Sequence, residues 1–193
     1  MFKSRKQKVV RVFMVVLVLV VGMLSYQFIN QYKEEQRQWE LFLNYFYFAH
    51  EHSINRIDYL IEMQPKDDDL DAFLRETDRE LRKANSVITY GRTLMNNDLY
   101  ISKFFLNAAE FLYGVNFYPG PEVPPMNENG MLDDDDLALL ETIRDYLSEA
   151  QEELHSNLSE QENPDLSLDE VNDIINTYLN YSKHDIYEDT FEN

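Results

Sequence analysis

Three groups of side chains in this chain have the types that metal binding or acid–base catalysis uses. His50 and His52 flank Glu51. A zinc-binding helix needs two histidines four apart on one face; two apart, they point about 200° from each other and cannot share a metal. Hydrogen-bonded, partly buried imidazoles are the expectation for this pair. Glu152 and His155 make one Glu-x-x-His, half of a carboxylate-bridged di-iron set, with no second copy and no inward glutamates on the other apolar stripes. Asp67, Asp69, Asp71 and Asp78 approach the spacing of a calcium loop, but Ala72 stands where the turn needs glycine and the closing ligand is Asp, not Glu. Asn127, Asn129 and Gly130 fail because Pro125 occupies the first ligand position. There is no G-x-S-x-G and no phosphate-cradling glycine loop. No catalytic residue, metal or cofactor is expected, and a non-enzymatic role is.

The elements that carry these residues are organised by one stretch near the start. Val12 to Tyr32, VFMVVLVLVVGMLSYQFINQY, is uncharged, and as a helix it spans about 30 Å, the thickness of a bilayer's hydrocarbon core. Lys3, Arg5, Lys6, Lys8 and Arg11 precede it without an acid. All 36 acidic residues and twelve of the 17 basic ones lie beyond it, so the leader carries +5 and the remainder −24, which together give the net −19. Cations before the span favour a cytoplasmic N-terminus and an acidic domain outside. A cleaved signal is disfavoured: the best cleavage point, after Ser25, has Met23 where a small residue is needed. Gly22 and Ser25 are small, but no G-x-x-x-G marks a helix-pairing face. The chain is therefore read as residues 1–11 leader, 12–32 anchor in the lipid bilayer, 33–184 acidic helical domain and 185–193 acidic tail.

A domain at −24 should repel nucleic acid phosphates and anionic lipid headgroups, so no nucleic acid is expected as a partner. Cysteine is absent, which removes disulfides, thiolate nucleophiles and lipidated cysteines. An exposed domain without disulfides, with Asn, Asp, Glu, Tyr and Ile abundant and Ala and Gly scarce, fits a bacterial source. The sequons at Asn157-Leu158-Ser159 and Asn180-Tyr181-Ser182 are then coincidental.

Within the domain, helical spacing recurs. Trp39, Phe42, Leu43, Phe46, Ala49, Ile54, Ile57, Leu60 and Ile61 form one row up to Pro65, and Leu41, Tyr45, Phe48 and His52 a second, so this helix should be central and covered on two sides. Asp67 to Asp69 open the next helix, whose stripe runs from Leu70 to Met95, with Asn96 and Asn97 suited to ending it. Leu99 to about Val115 reads as a third helix, apolar nearly all round. NFYPGPEVPPMNENGM, residues 116–131, holds four of six prolines and is a loop. Asp133 to Asp136 open a helix with Leu137, Leu140, Ile143, Leu147, Ala150, Leu154 and Leu158. Ser167 and Glu170 form a capping box for a short helix carrying Val171, Ile174, Ile175, Tyr178 and Leu179. The fold class is all-α: one transmembrane helix, then an extracytoplasmic four- or five-helix bundle.

The expected function is a membrane-anchored interaction module of structural or accessory role that docks other membrane or envelope proteins. Its partner surface is placed at the third helix and following loop, on Phe104, Phe117, Tyr118, Val123 and Met126, because aromatic and Met side chains on a proline-stiffened backbone suit an interface. The competing assignment makes that helix the most buried member and the loop its cover. The alternative function class is an extracytoplasmic sensor or ligand-binding domain working through a membrane partner.

Overall fold

The computed structural model describes residues 2–95, 97–156 and 161–192, with side chains from residue 13 onward. The leader side chains, Asn96, Leu158 and the sequon at 157–159 lie outside the described residues. Six helices are present among the described residues: α1 (Phe2–Met63), α2 (Asp67–Leu94), α3 (Phe104–Phe111), α4 (Asp134–Leu154), α5 (Leu168–Tyr178) and α6 (Lys183–Phe191). Two antiparallel pairs of two-residue strands complete them: β1 (Val115–Asn116) with β2 (Glu122–Val123), and β3 (His155–Ser156) with β4 (Gln161–Glu162). The chain is mostly helical and divides into two compact units, Met1–Trp39 and Glu40–Asn193.

The first unit is helical throughout its described length and holds the one stretch among the described residues long and apolar enough to cross a membrane. Every side chain from residue 13 to residue 32 is exposed. Past that stretch the helix is polar and laced along its own face, with Gln31 donating to Glu35 at 2.8 Å and Arg37 to Glu34 at 2.7 Å. Pairs three and four residues apart are neighbours on a helix surface.

The second unit is built around the 40–63 part of α1. Phe42, Leu43, Phe46, Ala49, Ile57 and Leu60 of the first row are buried, and Trp39, Ile54 and Ile61 are half-buried. The second expected row is not covered: Leu41, Tyr45 and His52 are exposed, and Phe48 is half-buried. The widened face runs instead through Tyr47, His50 and Ser53. The physical reason is polar complementarity: the His50 Nε2–H donates to the Leu147 carbonyl at 2.7 Å, and Tyr47 is hydrogen-bonded to His155 Nδ1 at 3.0 Å. Satisfied polar groups can be core, and an apolar count cannot see them.

α2 packs on α1 through Tyr59 stacked on Phe73, with centroids 4.2 Å apart, and through the ion pair Arg56–Glu76 at 2.9 Å. Its buried stripe is Leu70, Leu74, Thr77, Leu81, Ala84, Ile88 and Gly91. Gly91 is required by proximity: a Cβ there would sit 2.5 Å from the Phe42 ring. Leu94 is 76 % exposed, so the expected stripe stops one turn early. α4 starts at a capping box between Asp133 and Asp136 and buries Leu139, Leu140, Ile143, Leu147, Ala150 and Leu154, while Leu137 is half-buried. α5 carries the predicted Ser167–Glu170 box and buries Val171, Ile174 and Ile175.

Two elements differ from expectation. α3 is only eight residues long, because 99–103 is held non-helical: the Asn172 side chain donates to the Asp98 carbonyl at 3.0 Å and accepts the Tyr100 N–H at 2.7 Å. Ser102 then donates to the Leu179 carbonyl and accepts the Phe104 N–H. The acidic tail from Asp185 is not an extension but part of α6, with a Ser182–Asp185 capping box and Ile186 fully buried. α6 packs against α4 and α3. Lys183 pairs with Glu110, and the Tyr146 hydroxyl donates to Asp189.

Candidate interaction surface

The segment after α3 becomes a small hairpin because two glycines allow it to turn tightly. Gly114 has φ +90, where L side chains are strained, and a Cβ there would meet the Val123 carbonyl and Pro125 nitrogen at 3.0 Å. At the tip, a Cβ on Gly120 would lie 2.4 Å from the Phe117 carbonyl oxygen. Between them Val115 pairs with Val123 and Asn116 with Glu122, and the Phe117 N–H donates to the Pro121 carbonyl at 3.1 Å. The Met126 N–H donates to the Leu112 carbonyl at 3.3 Å, tying the hairpin's return to the end of α3.

These constraints separate the five residues singled out from sequence. Phe104 (0 % exposed), Met126 (1 %) and Val123 (7 %) are core. Phe117 is half-buried, its ring 5.3 Å from Tyr187 and 6.2 Å from Phe111. Tyr118 is 92 % exposed. The helix is thus buried, and of the five residues Tyr118 alone is exposed, on a loop that also exposes its prolines and Met131. The bracing residues, Tyr187 and Phe191, with centroids 5.0 Å apart, come from the segment read as a tail, whose Ile186, Tyr187 and Phe191 are the residues the sequence offers for folding back on the domain. The readable signal was Ser182-x-x-Asp185, a capping box that marks a helix start.

Beside the hairpin lies a cavity of about 170 Å³, lined by Glu122, Val123 and Pro124, by Asp133, Asp135, Asp136 and Leu139, and by Tyr187 and Phe191. Asp136 is 8 % exposed, and its carboxylate accepts the Asp133 N–H at 3.1 Å. Burial, with the charges of Asp133 and Asp135 adding to it, pushes the Asp136 carboxyl up to about 6. The other strongly shifted group, His50, lies in the core with its ring edge-on to Phe46 and Phe105; burial holds its imidazole down at about 4, so it is neutral, and its Nδ1 has no hydrogen-bond partner. His52 is exposed, 3.8 Å from Glu80. No group of three His, Asp or Glu side chains positioned for a metal occurs among the described residues.

No protein-family model, no curated protein and no solved structure matches this chain. The functional argument therefore rests on the geometry itself.

Proposed function

We propose that this chain is a single-pass membrane protein whose apolar helix spans the bilayer from residue 12 to residue 32, with its leader in the cytoplasm. The acidic helical domain is then a bundle outside the membrane that docks another membrane or envelope protein through the hairpin tip. The observation that carries the reading is Tyr118, 92 % exposed at the tip of a hairpin whose base is anchored by the half-buried Phe117 and the buried Val115 and Val123. A large aromatic ring with few rotatable bonds and a hydroxyl at its end gives contact area at small ordering entropy, the property of interface anchors. The domain's −24 charge sets the partner's character: a basic surface with an apolar slot that accepts the phenol.

The sensor alternative rests on the cavity at Asp136. Ligand pockets hold roughly 300–1,000 Å³ and are mostly apolar; the Asp136 cavity holds about 170 Å³, and the two larger ones, about 300 Å³ beside Glu153 and Glu170 and about 380 Å³ beside His52 and Glu80, are lined mainly by polar and charged side chains, so docking is the stronger reading. The test replaces Tyr118 with a photo-crosslinking residue in the full chain in its native membrane. A discrete adduct, lost when the neighbouring Glu122 is changed to Lys, is expected. No adduct at Tyr118, with adducts from other exposed positions such as Tyr90, would move the docking site elsewhere.

A further inference from the structure

We infer that the end of the acidic unit formed by the last turn of α2 and the segment leading into α3 is a phospholipid-contact surface. In this stretch Tyr90, Leu94, Tyr100 and Ile101 are 65 %, 76 %, 52 % and 47 % exposed. They belong to one place in the fold, since Gly91 lies against Leu99, the residue before Tyr100, and Asn172 holds the Tyr100 backbone. Tyrosines beside aliphatic side chains are the composition that settles at the interfacial layer of a bilayer, where ring and chain leave water while the hydroxyl stays hydrated.

Charge selects the occupant. From residue 84 to residue 109 the one acid is Asp98, against Arg92 and Lys103, so this stretch is +1 in a domain that is otherwise strongly negative. Neither Arg92 nor Lys103 has an acidic partner among the described residues, although acids outnumber bases three to one beyond the apolar run. Two cations among exposed tyrosine, leucine and isoleucine fit lipid phosphates, which their long side chains reach while the apolar groups insert. The unit as a whole is negative and is repelled by an anionic headgroup layer, so an end poor in acids is the one that approaches it at least cost.

From Tyr32 to Glu40 the helix rises about 12 Å. Phe42, two residues into the unit, touches Gly91, so the last turn of α2 lies at the end of the unit where the chain enters. The inference rests on residues 12–32 being in the bilayer.

The absence of cysteine makes the test clean, because each variant carries one thiol. The full chain is reconstituted into vesicles of phosphatidylcholine and phosphatidylglycerol with Leu94→Cys, Asp68→Cys or Leu19→Cys, each labelled with a small fluorophore, and nitroxide-bearing lipids are added as quencher. The Leu94 label is expected to lose roughly half its emission, the Asp68 label roughly a tenth, and the Leu19 label most of it. Adding Arg92→Glu and Lys103→Glu to the Leu94→Cys chain should cut its quenching by roughly twofold with an unchanged helical spectrum. Quenching at Leu94 no greater than at Asp68, while Leu19 is quenched, overturns this inference and leaves the anchor standing. An unquenched Leu19 label overturns both. A Leu94 label shielded from aqueous iodide but untouched by lipid nitroxides, increasingly so at high protein-to-lipid ratio, would show that another copy of the chain covers the surface.

Discussion

His50 and Asp136 are predicted to titrate in opposite senses over the same pH window. An unfolded histidine titrates near 6.5 and His50 folded at about 4, so His50 contributes stability that is present above the unfolded value and lost as pH falls through the folded one. Asp136 runs the other way. Its folded value of about 6 lies above the ordinary 3.8, so its contribution is full at low pH and lost as pH rises through 6. Each shift of roughly two pH units or a little more corresponds to about 3 kcal/mol, trimmed to about 2 kcal/mol for Asp136 by water at the cavity mouth. Between pH 6.5 and pH 4 the two contributions largely cancel, because folding in effect moves one proton from an imidazole to a carboxyl.

Single substitutions should unmask each half. In residues 33–193, expressed without the apolar helix, His50→Gln keeps a donor for the Leu147 carbonyl, and Asp136→Asn keeps an acceptor for the Asp133 N–H. Urea unfolding from pH 4 to pH 7 then gives stability differences from the parent chain, in which the titration of the other carboxylates cancels. The advantage of the parent over His50→Gln should shrink by about 3 kcal/mol on acidification, and its advantage over Asp136→Asn should grow by about 2 kcal/mol. Pairs of curves that stay parallel would show that neither group is held as the structure places it.

Two further substitutions test the packing. Gly91→Ala puts a methyl 2.5 Å from the Phe42 ring and should cost about 1–3 kcal/mol in the same urea assay; no loss would mean the ring moves aside freely. Ile186→Ala should cost about 2–4 kcal/mol because the residue is fully buried, and a neutral result would return α6 to a frayed tail.

What was legible in the sequence is what is local. The Ser167–Glu170 box, the acidic first turns at Asp67 and Asp134 and the stripes of α2 and α4 depend on residues within one or two turns of each other, and the helices form where those signals lie. The shortening of α3 was not legible, because the side chain that holds 98–100 out of helical geometry is Asn172, more than seventy residues away. For His50 the sequence supports only a partly buried imidazole, since its full burial depends on a carbonyl of α4 that meets it in three dimensions. At the hairpin, composition identified the loop and its apolar residues. Which of them turn outward depends on the packing behind them: α6 aromatics cover Phe117, while Tyr118 is left 92 % exposed.

The proposal on which the others depend is that the helix at residues 12–32 holds the acidic domain outside a membrane. Protease added to intact cells or protoplasts tests it, followed by detection with antibodies to the domain and to a tag ahead of the leader. The account predicts complete loss of the acidic domain, with a small fragment containing the leader and span left in the membrane. A full-length protected chain would reverse the topology, and a shortened domain in the medium without protease would show that the apolar helix is a cleaved signal.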